Sequence, residues 1–174
     1  MTAPALRPEA DEYPGFYGKY VESIPGNDPV QALQRTGDEI AATLASIPED
    51  RGSYRYGEDK WTIKTLVGHV IDAERIFTYR ALRLARGDST PLPGFDENEF
   101  AKVAGSDDRT VASLADEFAQ VRASTVRLFA SLPSDAWLRA GIVNKGHVTV
   151  RALGYIIAGH AVHHARVLRE RYGV

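Results

Sequence analysis

Cysteine is absent from the 174 residues, and net charge and long apolar runs are scarce. Without cysteine the chain forms no disulfide and has no thiolate ligand or cysteine nucleophile, so any metal must be held by His, Asp or Glu. The formal net charge of −2 gives no overall attraction to nucleic acid or to an anionic membrane. No apolar run approaches the roughly 20 residues that span a bilayer. The stretch MTAPALRPEADEYPGF lacks the apolar core and cationic start of a secretory signal, so we expect a cytoplasmic protein.

What the chain contains is typical of one globular domain. Hydrophobic residues make up 44% and charged residues 25% of the sequence, which are ordinary proportions for such a domain. The length favours a single domain over residues 1–174, and a domain of this size buries roughly 70% of the surface of its unfolded chain. Residues 1–26 are rich in proline, glycine and aromatic side chains, and they predict an irregular N-terminal arm laid against the body.

Apolar residues recur at helical spacing in four long segments. The first segment begins at Asn27 or Asp28 as the cap, with Pro29 in the first helical position. The second segment begins at Thr62, which is also a favoured cap, and ends near Gly87. Both segments therefore carry the start signals of helices as well as the apolar period.

The remaining segments complete an all-α pattern. The third helix is predicted within residues 109–133, and the last begins after Thr149 as its cap. Residues 89–108 form a long polar crossover with a short helix near Glu97–Val103, and residues 134–147 are predicted to be a connector without strands. The expected fold is a four-helix bundle with a long crossover and an irregular N-terminal arm.

Three of the five histidines lie within ten residues, in the stretch GHAVHHARVL of the last helix. His160 and His164 are four residues apart on its apolar face, so their imidazoles can bind one ion. His69 lies midway along the apolar face of the second helix. Buried imidazoles need polar partners, and one shared divalent cation satisfies all three. The sequence therefore predicts a metal site made by His69, His160 and His164, with at least one coordination position left open.

Two other interpretations of these histidines stay open at this point. They are histidines that are hydrogen-bonded in a core without a metal, and a chance cluster in a plain helical bundle. The pattern is not that of a helical metalloprotease, because Ala161 stands where the catalytic glutamate would follow His160. No nucleophile elbow, phosphate-binding glycine loop or dinucleotide fingerprint is present in the sequence. Nitrogen ligands also disfavour magnesium and calcium.

Several further residues have both a functional and an ordinary interpretation. His163 lies at the flank of the last helix, where it is a neighbour of the site or a surface residue. Asp72 either orients an imidazole or is a solvated helix acid. Arg80 shares the stripe of His69, where it either pairs with an acidic substrate or extends to solvent. His147 is predicted to be exposed, and the acidic residues within 96–99 either rim the site or are solvated.

The two histidine motifs resemble those of the DinB/YfiT-like metalloenzymes. The stretch WTIKTLVGHVIDAERIF is similar to the second-helix signature of that family, with a Trp leading to a His and an acidic residue three positions later. The stretch GHAVHHARVL is similar to its last-helix signature, with a second His four residues after the first. The order of the motifs and the gap between them also match, and the resemblance extends from about Tyr13 to Tyr172.

The resemblance implies more than the residues alone predict. It implies an up-up-down-down bundle, a homodimer and a small-molecule substrate. It also implies a zinc- or nickel-like ion held by His69, His160 and His164. Some relatives are transferases or isomerases that depend on a low-molecular-weight thiol, and here such a thiol would have to come from a cofactor.

Two classes of function follow from this interpretation. The first is a divalent-metal-dependent enzyme, either a hydrolase or a thiol-dependent transferase, with no role in binding nucleic acid or membranes. The second is a non-catalytic binding module in which the metal staples the bundle. An enzyme needs an ion that is open to a pocket, whereas a staple needs a closed coordination shell.

Overall fold

The computed structural model describes residues 7–174 as a largely helical chain with one small hairpin. The described helices are α1 (Gly18–Glu22), α2 (Pro29–Ala45), α3 (Ile63–Ala85), α4 (Glu97–Val103), α5 (Val111–Ala130) and α6 (Val150–Val167). The strands are β1 (Ala140–Val143) and β2 (Gly146–Thr149), and a π-helical stretch, Leu168–Tyr172, extends α6. Within residues 7–174, no helix has both the length and the apolar character to cross a membrane.

The helices begin and end where the sequence predicts. Side-chain oxygens of Asp28, Thr62 and Thr149 accept hydrogen bonds from backbone N–H groups two or three residues further along the chain. Pro29 occupies the first position of α2, where its missing N–H costs nothing. Gly87 adopts φ +80° just beyond α3, a conformation that ends helices and suits glycine. The predicted four-helix bundle is confirmed, with α2, α3, α5 and α6 as its helices.

Contacts at the two ends of the bundle fix the directions of its helices. Helices α2 and α3 each pack against both α5 and α6. Pro29 at the start of α2 and Phe129 near the end of α5 both lie against Gly154 near the start of α6. At the opposite end, the Tyr172 hydroxyl that follows α6 donates to the carbonyl of Trp61, just before α3, at 2.8 Å. Helices α2 and α6 therefore run one way, and α3 and α5 run the other.

The direction order along the chain is up, down, down and up. The order implied by the resemblance, up-up-down-down, reverses direction once, between the second and third helices. The observed order reverses twice, between α2 and α3 and between α5 and α6. The reason lies in the crossover, residues 86–110: because it joins the parallel helices α3 and α5, it must return along the length of the bundle. The unusual length of this segment in the sequence is thus explained by the two helices that it joins.

A β-hairpin occupies the segment that the sequence analysis predicts to be a connector without strands. Strands β1 and β2 pair antiparallel, and their turn residues Asn144 and Lys145 have φ of 48° and 67°. The crossover docks on this hairpin, since Leu92 donates to the carbonyl of Ile142 and accepts from the N–H of Asn144, both at 2.9 Å. Four-residue strands that include glycine leave too little alternation for the sequence pattern to reveal them.

The N-terminal arm lies against the body, as predicted, but residues 7–26 are more regular than expected. Two 3₁₀ turns precede the short helix α1. The Glu12 carboxylate anchors the arm by accepting from the Thr149 hydroxyl at 2.8 Å and from Arg151 Nε at 2.7 Å. A Cβ added at Gly159 of α6 would lie 2.2 Å from the carbonyl oxygen of Tyr20, so glycine permits the close approach of α1.

A buried ion pair ties α3 to α5 in the bundle interior. Arg122 Nε and Nη2 donate to the two carboxylate oxygens of Glu74 at 2.7 and 2.8 Å. Its Nη1 donates to the Leu33 carbonyl and the Thr36 hydroxyl of α2. A Cβ added at Gly37 would lie 2.6 Å from Arg122 Cγ, so this glycine leaves space for the arginine stem. The guanidinium therefore joins three helices through four hydrogen bonds.

Candidate metal centre

Two antiparallel helices bring the three predicted histidines together. His69 lies on α3, and His160 and His164 lie one turn apart on α6. His69 and His160 are buried, at 9% and 7% exposure, and His164 is half-buried. The ring centroids of the three imidazoles are 4.5 to 5.1 Å apart. The facing argument from the helical period thus places all three rings in one cluster, which we call the histidine triad.

The distances between the triad nitrogens match the distances between ligand atoms around a tetrahedral metal ion. His160 Nε2 lies 3.2 Å from His69 Nε2 and 3.2 Å from His164 Nε2. Nitrogen ligands about 2.0–2.1 Å from a tetrahedral ion are about 3.3 Å apart. Each residue offers one ligand atom to the group, and all three atoms lie within 4.8 Å of one another. The donor set and its spacing therefore fit a divalent ion of the zinc type.

Hydrogen bonds alone do not account for this arrangement. A neutral imidazole nitrogen is either a donor of one hydrogen or an acceptor at one lone pair. His160 Nε2 faces two other Nε2 atoms at the same distance, so it satisfies one of them well and leaves the other without a linear partner. A cation shared by three lone pairs satisfies all the nitrogens together.

Burial keeps the triad neutral, which is the protonation state that a cation requires. It lowers the pKa of His69 to about 4 and the pKa of His164 to about 3. Burial, followed by the proximity of the other two imidazoles, holds the pKa of His160 well below its usual range. At neutral pH the three rings therefore have free lone pairs and no charge to repel a cation.

Aromatic side chains enclose the triad. The Trp61 ring lies 5.0 Å from the His69 ring, and the edges of Tyr20 and Phe77 meet His160 with centroids 5.5 and 5.7 Å away. Tyr20 comes from α1, so the N-terminal arm supplies part of this shell. The apolar surroundings limit the rotation of the imidazoles and exclude water from their sides.

The triad forms one side of a cavity of about 400 Å³. Six aromatic side chains from the arm, from α3 and from the segments before and after α3 line the cavity: Phe16, Tyr17, Tyr20, Trp61, Phe77 and Phe95. Its polar lining includes Lys19, Arg80, Glu97 and Asn144. A cavity that reaches the triad is what an open metal site needs, since a ligand must be able to approach the ion.

Of the other candidate residues from the sequence, some line this cavity and the rest lie at the surface. Arg80 lines the cavity and is buried, at 3% exposure, so it does not extend to solvent. His163 also lines the cavity but contacts Arg166 and lies outside the triad. Asp72 lies 3.7 Å from Arg75 and has no hydrogen bond to His69 among the described residues, which agrees with a helix acid. His147 is exposed, as predicted.

The residues that sequence reasoning missed reach the cavity through tertiary structure. Asn144 comes from the turn of the hairpin, and a Cβ added at Gly94 would lie 2.3 Å from its side-chain oxygen. Phe16 and Tyr17 come from a 3₁₀ turn of the arm, which has too few residues for a periodic signal. Glu97 belongs to the acidic stretch that the sequence analysis names as a rim, and this residue does line the cavity.

Fold and site define a class of helical-bundle proteins with a three-histidine cluster beside a cavity. The sequence profile of the DinB superfamily matches residues 32–168, a stretch that includes all three histidines. The chain belongs to the DinB superfamily.

Individual relatives agree with this assignment. The chain is 29% identical over 73 residues to a protein of Oceanobacillus iheyensis named for a proposed metal-dependent hydrolase activity. That alignment covers 41% of this chain and 42% of the relative, so it spans less than half the length of either protein. It therefore supports the family and leaves the reaction to be argued from the site.

Solved structures support the fold. YfiT from Bacillus subtilis, described as a probable metal-dependent hydrolase with an unusual four-helix bundle topology, matches with a TM-score of 0.73 and 14% identity over 97% of this chain and 94% of that one. A mycothiol-dependent maleylpyruvate isomerase matches with a TM-score of 0.67 and 15% identity over 79% of this chain and 58% of that one. At these identities the two structures establish a shared bundle.

Proposed function

We propose that this protein is a divalent-metal-dependent enzyme, with hydrolysis of a small molecule as its reaction. His69, His160 and His164 would hold a zinc- or nickel-like ion. The observation that carries the proposal is the convergence of three neutral imidazoles on the side of a cavity, with His160 Nε2 lying 3.2 Å from the Nε2 atoms of both His69 and His164. When bound there, such an ion supplies Lewis acidity to a water molecule or to a substrate oxygen.

The residues of the chain prepare the cavity for that chemistry. The imidazoles present lone pairs at neutral pH because burial lowers their pKa values. The rings of Trp61, Tyr20 and Phe77 hold them in place. Glu97 is the carboxylate that lines the cavity among residues 7–174, and in this proposal it accepts a proton during hydrolysis.

An enzyme is favoured over a binding module stapled by metal because of the cavity. A structural site is closed by four protein ligands. Here the described residues bring three potential ligand side chains together, and all three line a space large enough for a small molecule. The name of the Oceanobacillus relative supports hydrolysis in particular. A thiol cofactor, a homodimer and a cytoplasmic location stay predictions of the sequence analysis.

Metal analysis followed by cobalt substitution tests this function. Protein purified without an affinity tag should contain about one zinc or nickel ion per chain by elemental analysis, as expected for one three-nitrogen site. After replacement by Co²⁺, azide should change the visible absorption spectrum, because an exchangeable coordination position accepts the anion. His147→Ala is the matched control, since it removes an exposed imidazole of the hairpin and should leave metal content unchanged.

Each outcome of this experiment decides between the alternatives. Metal retained together with a spectrum that does not respond to azide would favour the stapled binding module over the enzyme. Metal content that is negligible after purification, and that is not restored by added Zn²⁺ or Ni²⁺, would contradict the metal site itself. The plain hydrogen-bonded bundle would then be the correct interpretation of the triad.

A further inference from the structure

Arg80 is a buried cation that has no anionic partner among residues 7–174. Its side chain lines the cavity, and the residue is only 3% exposed. The other deeply buried arginine among the described residues, Arg122, is paired through two hydrogen bonds with Glu74. Arg80 has no such ion pair with any residue in 7–174. A buried charge is costly unless a counter-charge and hydrogen bonds compensate it, so this difference between the two arginines needs an explanation.

The groups that contact the Arg80 guanidinium are neutral. Its Nη2 donates to the carbonyl of Pro93 at 2.7 Å. The Tyr17 phenol also interacts with it, but burial raises the pKa of that phenol, so Tyr17 carries no negative charge at neutral pH. Glu97 lines the same cavity on its exposed rim and is not ion-paired with Arg80. A guanidinium has five N–H donors, and donors therefore remain for a ligand in the cavity.

Aromatic rings hold the guanidinium in a defined orientation. Its central carbon lies 5.6 Å from the Phe77 ring centroid and 5.8 Å from the Phe95 ring centroid. A planar guanidinium fixed in this way is suited to two parallel hydrogen bonds with a carboxylate. Arg80 lies about three helical turns beyond His69 on α3. Its guanidinium packs against the Phe77 ring, and that ring lies 5.7 Å from the His160 ring, so Phe77 separates the guanidinium from the triad. A ligand that spans both groups is elongated and has an apolar middle.

We propose that Arg80 is the binding residue for the carboxylate of an elongated acidic substrate, in the cavity that the triad also lines. The substrate's apolar middle then lies beside Phe77, and its reacting group lies beside the three imidazoles. The inference rests on the proposed function in one respect, since the bound acid is a substrate only if the protein is an enzyme. Binding of the carboxylate to Arg80 does not itself require the metal.

Calorimetric titration with a pair of matched probes tests the proposal. The probes are 4-phenylbutyrate and the neutral 4-phenylbutyramide, and the protein is used both as purified and after removal of metal by a chelator. The metal-free wild type should bind the carboxylate at least about tenfold more tightly than the amide, as expected for a charge-assisted bidentate pair. Arg80→Met should reduce that preference to within about threefold, because the charge is lost while much of the apolar volume is kept.

A control variant and a second substitution guard against trivial explanations. Arg83→Met removes a cation from the same helix, but Arg83 pairs with Asp88 outside the cavity, so the preference should be unchanged. Arg80→Lys retains the charge but loses the bidentate guanidinium, so it should keep only part of the preference for the carboxylate over the amide. If Arg80→Met does not fold, an undiminished preference in Arg80→Lys would count against the role of Arg80.

The results that would overturn the inference are distinct from those that would overturn the metal enzyme. The proposal fails if the metal-free wild type shows no preference for the carboxylate, or if Arg80→Met keeps it. A preference that exists only with metal present would mean that the carboxylate binds the ion, and it too would refute the role of Arg80. A preference that persists in a protein with no affinity for metal would support the anion site and refute the proposed function.

Discussion

Replacing His163 and His164 by alanine, one at a time, distinguishes a metal ligand from a residue that only lies beside the metal site. His164 Nε2 lies 3.2 Å from His160 Nε2, whereas His163 lies at the flank with its Nδ1 facing Arg166. We expect His164→Ala to weaken divalent metal binding by more than about 100-fold. His163→Ala should weaken it by no more than the roughly 10- to 100-fold typical of residues that only support a ligand.

The same substitution has a calculable effect on stability. If metal is present at about 1,000 times the wild-type dissociation constant, binding stabilises the folded protein by about 4.1 kcal/mol. A 100-fold weaker site keeps only about 1.4 kcal/mol of that, a loss of about 2.7 kcal/mol. Without metal, His164→Ala should cost much less, because the substitution also removes a buried Nδ1 that has no hydrogen-bond partner among the described residues.

Two assays measure these quantities. Competition with a chromophoric chelator gives the metal affinities, and urea unfolding with and without metal gives the stabilities. The two substitutions delete the same side chain one position apart, so effects on helix propensity nearly cancel. Equal losses of affinity would refute the facing argument. A larger loss for His163→Ala would show that His163, rather than His164, is the ligand.

Three further predictions follow from other features. The folded-state pKa values of His69 and His164, about 4 and about 3, lie below the unfolded value of about 6.5. The metal-free protein should therefore lose stability as pH falls from about 6.5 towards 3, by up to about 1.4 kcal/mol per pH unit for each histidine. In the folded protein, protons should displace the metal only as pH approaches about 4. Urea unfolding and metal analysis across this pH range measure both effects, and a flat stability profile would contradict the burial of the triad. Gly159→Ala should destabilise the protein by about 1–3 kcal/mol in urea unfolding, since its Cβ would lie 2.2 Å from the Tyr20 carbonyl oxygen, whereas the control Gly18→Ala, with its nearest atom at 3.6 Å, should be neutral or stabilising. Glu74→Leu alone should cost about 3–5 kcal/mol of unfolding free energy, because it leaves Arg122 buried without its counter-charge. Glu74→Leu combined with Arg122→Met should cost much less. If the losses of the two single variants add up to that of the double variant, the buried pair is not coupled.

The helices and the triad could be predicted from the sequence because their signals are local. Asp28, Thr62 and Thr149 cap helices through bonds that span two or three residues, and the 3.6-residue period places His160 and His164 on one face. The second-helix position of His69 follows from the same period. Local chemistry was therefore sufficient to identify the residues that meet at the site.

The rest of the cavity depends on contacts between residues distant in sequence. Asn144 reaches it through a hairpin with four-residue strands, whose Asn-Lys turn lacks the glycine that usually marks such turns. Tyr17 reaches it from a three-residue 3₁₀ turn and Tyr20 from the five-residue helix that follows, in a segment rich in proline and glycine. The directions of the helices were likewise fixed by end-to-end contacts that no period in the sequence encodes.

The close approach at Gly159 places the N-terminal arm beside the helix that carries two of the imidazoles, so the cavity is lined by two separate parts of the chain. Residues 32–168, which match the family, contain the imidazoles, whereas Phe16, Tyr17 and Tyr20 come from a segment that precedes the match. The arm is anchored by the Glu12 carboxylate, by its close approach to Gly159 and by the buried side chains of Val21 and Ile24. It therefore forms a wall of the cavity that is anchored independently of the triad. Replacing residues 7–24 by the corresponding segment of another superfamily member should therefore change which molecules enter the cavity while the three nitrogens keep their spacing.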